Sequence, residues 1–270
     1  MRSVAGMERA CLLVMLRSLL TVARLTVLDA AHTRFGWLLG AVVLLAFSLA
    51  QFLAQLAITE TQQIQVALLA AGFRLTLVLL FGLFVISRIT RECGDMAVNL
   101  MSSPAQSPAG YYLGKLAGYA LLCLVSVLSV SLVLGFFAAP DASALWGASL
   151  FLELLIVCAA SLLFGIAFGQ VTPAATALIG FYLFSRTIAA MQLMAHGRLS
   201  GAGSVSQGLM TRLLDAGGYL LPDLDHFTRT EWVVYTPLPW PDLLVLAGQT
   251  CIYVLLLTSF GLFSLYRRDM

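Results

Sequence analysis

Charged side chains are scarce in this sequence. Asp, Glu, Lys and Arg make up 10% of the 270 residues, whereas hydrophobic residues make up 60%, and the mean hydropathy is +0.95. Soluble domains carry about 25% charged and about 45–50% apolar residues, so a water-soluble globular protein is excluded. The formal net charge of +2, from fourteen arginines and one lysine against thirteen acids, is too small to indicate nucleic acid as a partner.

Several chemical signatures are also missing. The five cysteines form no C-x-x-C motif and have no histidine at ligand spacing, so free thiols and no metal site are predicted. The sequence contains no phosphate-binding G-x-x-x-x-G-K-[ST] loop, no nucleophile elbow and no H-E-x-x-H motif. The chain is therefore predicted not to be an enzyme and to bind no cofactor of its own.

Arg2, Glu8 and Arg9 interrupt the first apolar run, so no cleavable signal peptide is expected.

What the sequence does contain is six long apolar runs, each close to the 20 or so residues that cross a bilayer core of about 30 Å. We predict an all-α integral membrane protein whose residues 36–270 form a six-span domain. Residues 1–35 are apolar but interrupted by arginines, which predicts an amphipathic elbow helix on the cytoplasmic surface. A long stretch rich in Gly and Pro, about 195–242, is predicted as an outer loop. The predicted spans are 37–57, 66–87, 111–137, 144–169, 174–194 and 243–265.

The distribution of Lys and Arg predicts the orientation of these spans. Ten of these residues fall on one side of the six-span arrangement and three on the other, all three in the long loop. Because cytoplasmic segments carry the excess of Lys and Arg, both termini and the segment 88–110 are predicted to be cytoplasmic.

The segment 88–110 is polar and lies between two strong spans. It begins with Arg91-Glu92, continues with an amphipathic turn that ends at Pro104, and leads into the sequence Tyr111-Tyr112-Leu113-Gly114-Lys115. Read physically, this is a short helix on the cytoplasmic surface, held rigidly between two spans. Such an element could act as a lever that transmits movement from a soluble partner to the membrane domain.

These motifs resemble the permease subunits of ABC transporters of the type-2 exporter family. That family has an Arg-Glu pair after the second span, a coupling helix, a P-x-S-R turn and a Y-x-x-G-K motif at the start of the third span. The chain departs from the pattern at Gly94-Asp95, where Gly-Thr is common, and at Pro108, where Arg is common. The resemblance extends to the topology, which includes an elbow helix and an outer re-entrant segment before the last span.

The resemblance implies a half-transporter in a bacterial cytoplasmic membrane, where it dimerises with an identical or paralogous permease in the lipid bilayer. Two copies of a separate ABC ATPase would bind ATP and Mg²⁺ and drive export across the membrane. No nucleic acid is implied as a partner. The residues that the resemblance assigns to ATPase coupling are Arg91, Glu92, Gly94, Pro104 and Lys115.

Three ionisable residues lie inside predicted spans, namely Arg74, Glu153 and Arg186. Counting 1.5 Å per residue places all three about 12–14 Å below the same membrane boundary, so they are predicted to meet in one layer. Because an unpaired charge at this depth costs about 2.5–3.5 kcal/mol on insertion scales, we expect them to pair. The layer is either an intramembrane substrate pathway or gate, or a structural ion pair.

Two other functions stay open at the level of sequence. One is an ATP-driven mechanotransmitter that acts on a lipid or an envelope partner. The other is a stand-alone carrier or intramembrane enzyme that uses the layer of Arg74, Glu153 and Arg186. An ATPase encoded beside this chain would separate the first possibility from the second.

Overall fold

A computed structural model describes the protein over residues 20–29, 33, 35–56, 61–99, 108–196, 212, 214–215, 217–218, 221–235 and 240–268. Within these ranges the chain is helical, with no strand, as predicted for an all-α protein. A short 3₁₀ turn, Leu224–His226, lies between α6 and α7. The helices are α1 (20–29), α2 (Phe35–Leu56), α3 (Thr61–Asn99), α4 (Pro108–Leu134), α5 (Pro140–Phe168), α6 (Val171–His196), α7 (Glu231–Val234) and α8 (Trp240–Arg268).

Five of these helices are long and apolar enough to cross a membrane. The shortest of the five spans has 24 residues, or about 36 Å at 1.5 Å per residue, against a hydrocarbon core of about 30 Å. The chain is therefore a multi-pass membrane protein. The first predicted span corresponds to α2, whose described apolar stretch is the shorter Phe35–Leu49, so the total of six spans stays a prediction. The five are Gln65–Glu92, Ala109–Leu134, Pro140–Phe168, Val171–Met194 and Trp240–Arg267.

Helix α1 is the described part of the predicted elbow. Its Thr26 is buried against α4, where a Cβ added at Gly118 would lie 2.7 Å from the Thr26 Cβ. At its end the Asp29 carboxylate lies 3.2 Å from a guanidinium nitrogen of Arg88 on α3. Residues 1–19, 30–32 and 34 lie outside the described residues, so the elbow as a whole stays a prediction.

Helix α5 is the central helix of the bundle. It packs against α3, α4, α6 and α8, and buried residues occur around its whole circumference, from Trp146 to Ile166. Its sequence is apolar or small at nearly every position, so it has no polar stripe to turn towards water, which is the pattern of a buried helix. Glu153 is the ionisable residue among its buried side chains, and any partner must come from a neighbouring element.

A two-residue connection joins α5 to α6. Gly169 has a φ of 65°, which favours glycine, and its N–H donates to the Gly165 carbonyl at 3.1 Å. The predicted spans 144–169 and 174–194 leave a connection at 170–173, whereas in the structure the connection is Gly169 and Gln170, and Val171 already belongs to α6. As a result α5 and α6 are antiparallel neighbours.

The segment 221–235 fills the space between α3, α5 and α6 without forming a long helix. Leu224 and Phe227 are completely buried, and Thr228 is 1% exposed. The 3₁₀ turn contacts α6, while α7 contacts α3 and α5. This part of the predicted outer loop is thus inserted into the helix bundle, as a re-entrant segment would be, whereas residues 197–211 lie outside the described residues.

The contact between α4 and α5 leads to a cross-linking prediction. The thiols of Cys123 on α4 and Cys158 on α5 are free and buried, with their Sγ atoms 3.4 Å apart. Oxidising membranes with iodine, which is lipid-soluble, is expected to form a disulfide, since the sulfur atoms need to approach by only about 1.4 Å to reach bonding distance. Mass spectrometry should detect the linked peptides.

The exposed Cys251 on α8 supplies the matched control. A Cys251→Ser protein should form the same linked peptides, whereas Cys123→Ser should form none. Failure of the wild-type protein to cross-link would contradict the contact between α4 and α5.

Candidate functional site

The three charges inside the spans come together around Glu153. Its carboxylate on α5 is completely buried, and Nη1 of Arg186 on α6 lies 3.7 Å from its Oε1. Arg74 on α3 reaches the inserted segment that covers this carboxylate, through Thr228. The predicted meeting of the three residues is therefore present in the fold.

Two hydroxyl groups complete the surroundings of the Glu153 carboxylate. The Tyr182 hydroxyl donates to Oε1 at 2.9 Å, and the Thr228 hydroxyl donates to Oε2 at 2.5 Å. A buried charge is tolerated only when it is paired and hydrogen-bonded, and here both oxygens have partners. We call the residues Arg74, Ser149, Glu153, Tyr182, Arg186 and Thr228 the polar cluster.

The two arginines bind the backbone of the inserted segment. Nη1 of Arg186 donates to the Leu224 carbonyl at 2.7 Å, and Nη1 of Arg74 donates to the Thr228 carbonyl at 3.1 Å. Irregular backbone at membrane depth is tolerated only where the protein satisfies its polar groups. The arginines meet that requirement, and they attach the segment to α3 and α6.

Thr228 has an unusual backbone conformation. Its φ is 47°, in the left-handed region that β-branched residues rarely adopt. This conformation brings its polar groups to two different helices. Its N–H donates to the Ser149 hydroxyl at 2.8 Å and its hydroxyl donates to Glu153, both on α5, while its carbonyl accepts from Arg74 on α3. Strain of this kind, about 1–3 kcal/mol, persists only when the surroundings hold the residue in place.

The chemistry of the polar cluster is that of charge pairing and anchoring. The Glu153 oxygens already accept three contacts, so the carboxylate is an anchor for the segment and not an open proton acceptor. Among the described residues, no three His, Cys, Asp or Glu side chains come together in a way that could hold a metal ion. A pathway or gate and a structural ion pair both stay compatible with this geometry.

A second charged site lies on α3, 18 residues after Arg74. Nζ of Lys115 on α4 donates to Glu92 Oε1 at 2.6 Å, and the Tyr111 hydroxyl donates to Oε2 of the same carboxylate. Lys115 is only 9% exposed, whereas the Glu92 side chain keeps 29% exposure, so this pair is partly shielded from solvent. It joins α3 to α4 seven residues before α3 ends at Asn99 and seven residues after α4 begins at Pro108.

The other predicted coupling residues are placed differently. Arg91 is exposed. The ion pair of Glu92 is formed with Lys115 on α4 and not with Arg91, its neighbour in sequence. Gly94 lies in the continuous helix α3, which runs past the end of its apolar part to Asn99. The first part of the predicted coupling segment 88–110 is therefore an extension of the second span. Pro104 lies outside the described residues.

Sequence reasoning did not assign the hydrogen-bond partners of either site. Tyr182 lies one turn before Arg186, and this i,i+4 spacing on one face of α6 was a usable signal. Thr228 and Ser149 carried no such signal, because each is an ordinary polar residue in its local sequence. Their roles depend on which elements meet in space.

The fold and the polar cluster define an all-α, multi-pass membrane protein with an irregular segment anchored by charges inside its helix bundle. No model of a known protein family matches the chain, and no curated protein matches it.

Proposed function

We propose that the protein is the membrane-spanning permease subunit of an ATP-driven ABC exporter in a bacterial cytoplasmic membrane. In this proposal it pairs with a second permease, identical or paralogous. Two copies of a separate ATPase hydrolyse ATP, and this chain has no catalytic residue or cofactor of its own. The motifs around Glu92 and Lys115, which resemble those of type-2 exporter permeases, support the proposal.

The observation that carries the proposal is the continuity of α3. This helix contains Arg74 of the polar cluster and Glu92 of the second site, 18 residues apart, which corresponds to about 27 Å along the helix axis. It continues for seven residues beyond Glu92 to Asn99. A force applied to this end of α3 by a soluble partner would reach the inserted segment through one continuous helix.

The Glu92–Lys115 pair makes the two helices respond together. It connects Glu92 on α3, within the predicted coupling segment 88–110, to Lys115 on α4, just after that segment. Without such a bond, a push on that segment would bend the connection instead of moving both helices. We therefore assign Glu92 and Lys115 a positioning role in coupling.

A variant of Glu92 tests this proposal. First, the tagged protein is purified from its native membranes, and a protein with a phosphate-binding loop is expected to copurify. In that complex, Glu92→Ala should reduce ATP hydrolysis at least about tenfold, because charge-assisted hydrogen bonds of this kind contribute about 1.5–3 kcal/mol. The matched control is Glu231→Ala, which removes an exposed acid on α7 and should retain full activity.

The alternatives predict different results in the same experiment. A Glu92→Ala complex with its ATPase bound and full ATP turnover contradicts the role of Glu92 in coupling. A purified chain that completes a transport or chemical cycle with no ATPase identifies a stand-alone carrier or an enzyme. A complex that hydrolyses ATP while no substrate crosses the membrane identifies a mechanotransmitter.

A further inference from the structure

The polar cluster carries an excess of positive charge. Arg74 and Arg186 contribute two guanidinium groups, while Glu153 is the carboxylate that faces them. Among the described residues of the cluster, one positive charge therefore has no carboxylate opposite it, at a depth where charges are costly. Arg186 lies eight residues from the Met194 end of its span, or about 12 Å along the axis, which is well inside the hydrocarbon region.

In this structure both arginines donate hydrogen bonds to uncharged carbonyl oxygens. The carbonyls of Leu224 and Thr228 accept from Nη1 of Arg186 and Nη1 of Arg74 respectively. In addition, the Arg74 Nε is buried without a hydrogen-bond partner among the described residues. Guanidinium groups bind carboxylate and phosphate oxygens more strongly than they bind carbonyls, because the hydrogen bonds are then between opposite charges.

We propose that the two arginines bind the monoanionic headgroup of an amphiphile, whose oxygens replace the Leu224 and Thr228 carbonyls when the inserted segment withdraws. This inference rests on the proposed function and names the substrate class of that permease. The single negative charge of a phosphodiester or carboxylate neutralises the excess charge of the cluster. Withdrawal also releases Thr228 from its left-handed conformation, which offsets part of the cost of opening.

The surface of α6 suits the apolar part of such a ligand. Leu183 lies one turn before Arg186 on the same side of the helix, and next to it is Phe184. Both are more than half exposed, at 54% and 59%, and the Arg186 side chain retains 18% exposure. An acyl chain along this surface would place its headgroup beside Arg186.

The experiment measures ligand binding to the purified full-length protein by native mass spectrometry, without ATPase. Three probes are compared: short-chain phosphatidylglycerol, phosphatidylcholine with the same chains, and inorganic phosphate. We expect phosphatidylglycerol to bind in preference to the zwitterionic lipid. Arg74→Gln and Arg186→Gln should each weaken this binding about tenfold, since each removes hydrogen bonds to a charged group.

Substitution of Glu153 should change phosphatidylglycerol binding in the opposite direction to substitution of the arginines. Glu153→Gln keeps side-chain oxygen and nitrogen atoms in place but removes the competing negative charge, so phosphatidylglycerol should bind more tightly. A purely structural role for Glu153 would make binding weaker or leave it unchanged. The control is Arg267→Gln, which removes an exposed arginine near the end of α8, away from the polar cluster, and should have no effect.

Each outcome decides the inference. Arg74→Lys keeps the charge and should retain much of the binding even if Arg74→Gln does not fold. Binding of phosphate alone, with the same dependence on Arg74, supports the anion site and assigns it to a free ion. The proposed headgroup site is contradicted if both lipids bind equally or if the arginine variants have no effect on binding. ATPase capture by the same variants tests the proposed function separately, because it does not depend on lipid binding.

Discussion

Replacement of Glu153 by alanine is expected to destabilise the protein more than any other single substitution in the polar cluster. The change leaves Arg186 without its acid and leaves the hydroxyls of Tyr182 and Thr228 without their acceptor. Removing one member of a buried ion pair costs about 3–5 kcal/mol. We expect the yield of monodisperse protein in detergent to fall sharply, and size-exclusion chromatography with a thermal melt measures this.

Two further variants separate the effect of losing the Glu153 charge from the effect of losing its hydrogen bonds. Glu153→Gln retains a hydrogen-bond acceptor at the same place and should lose less stability than Glu153→Ala. Glu153→Ala combined with Arg186→Ala should recover part of the loss, because no uncompensated charge then remains on that side of the cluster. A Glu153→Ala protein that melts at the wild-type temperature contradicts the contacts described for this carboxylate.

Replacement of Gly165 by leucine is expected to push α3 and α5 apart. A Cβ added at Gly165 would lie 2.1 Å from the Cγ2 of Ile89 and 3.8 Å from the Cα of Ile86. Ile89 is itself buried, at 1% exposure, so it has little space into which it can move. Overpacking of a dense interior costs about 1–3 kcal/mol for a few methylene groups, and occasionally more. Thermal melting of the purified protein is the measurement.

Gly248→Leu is the matched control for this substitution. Gly248 lies in α8 with no atom within 4 Å of an added Cβ, and leucine has a higher helix propensity than glycine. Its melting temperature should equal or exceed that of the wild type. If the two leucine variants have the same melting temperature, the close approach of α3 and α5 is contradicted.

Hydropathy predicted the positions of the long helices well but their ends less well. The predicted spans 111–137 and 243–265 correspond to Pro108–Leu134 and Trp240–Arg268 in the structure. The largest difference is in α3, which was predicted as a span ending at Ser87 and continues to Asn99. Hydropathy detects the apolar part of a helix, whereas the helix itself continues wherever backbone hydrogen bonds can form.

Depth along the spans predicted which charges meet, but not how they pair. Arg74, Glu153 and Arg186 were expected in one layer, and they share one cluster. Residue counting gives a height along the membrane normal and says nothing about rotation around each helix axis. In the structure the acid pairs with Arg186, while Arg74 binds the Thr228 carbonyl. A charge-reversal experiment should therefore exchange Glu153 with Arg186.

The sequence by itself predicted an all-α, multi-pass membrane protein, since the scarcity of charge excludes a water-soluble globular fold and the apolar runs have the length of membrane-spanning helices. It also located the charged residues that a membrane protein must compensate. Only the tertiary structure decided that Thr228 covers Glu153 and that Lys115 holds Glu92. The physical reason is that hydrophobicity acts residue by residue, whereas hydrogen bonds and ion pairs depend on the distance and direction between atoms that are far apart in the chain.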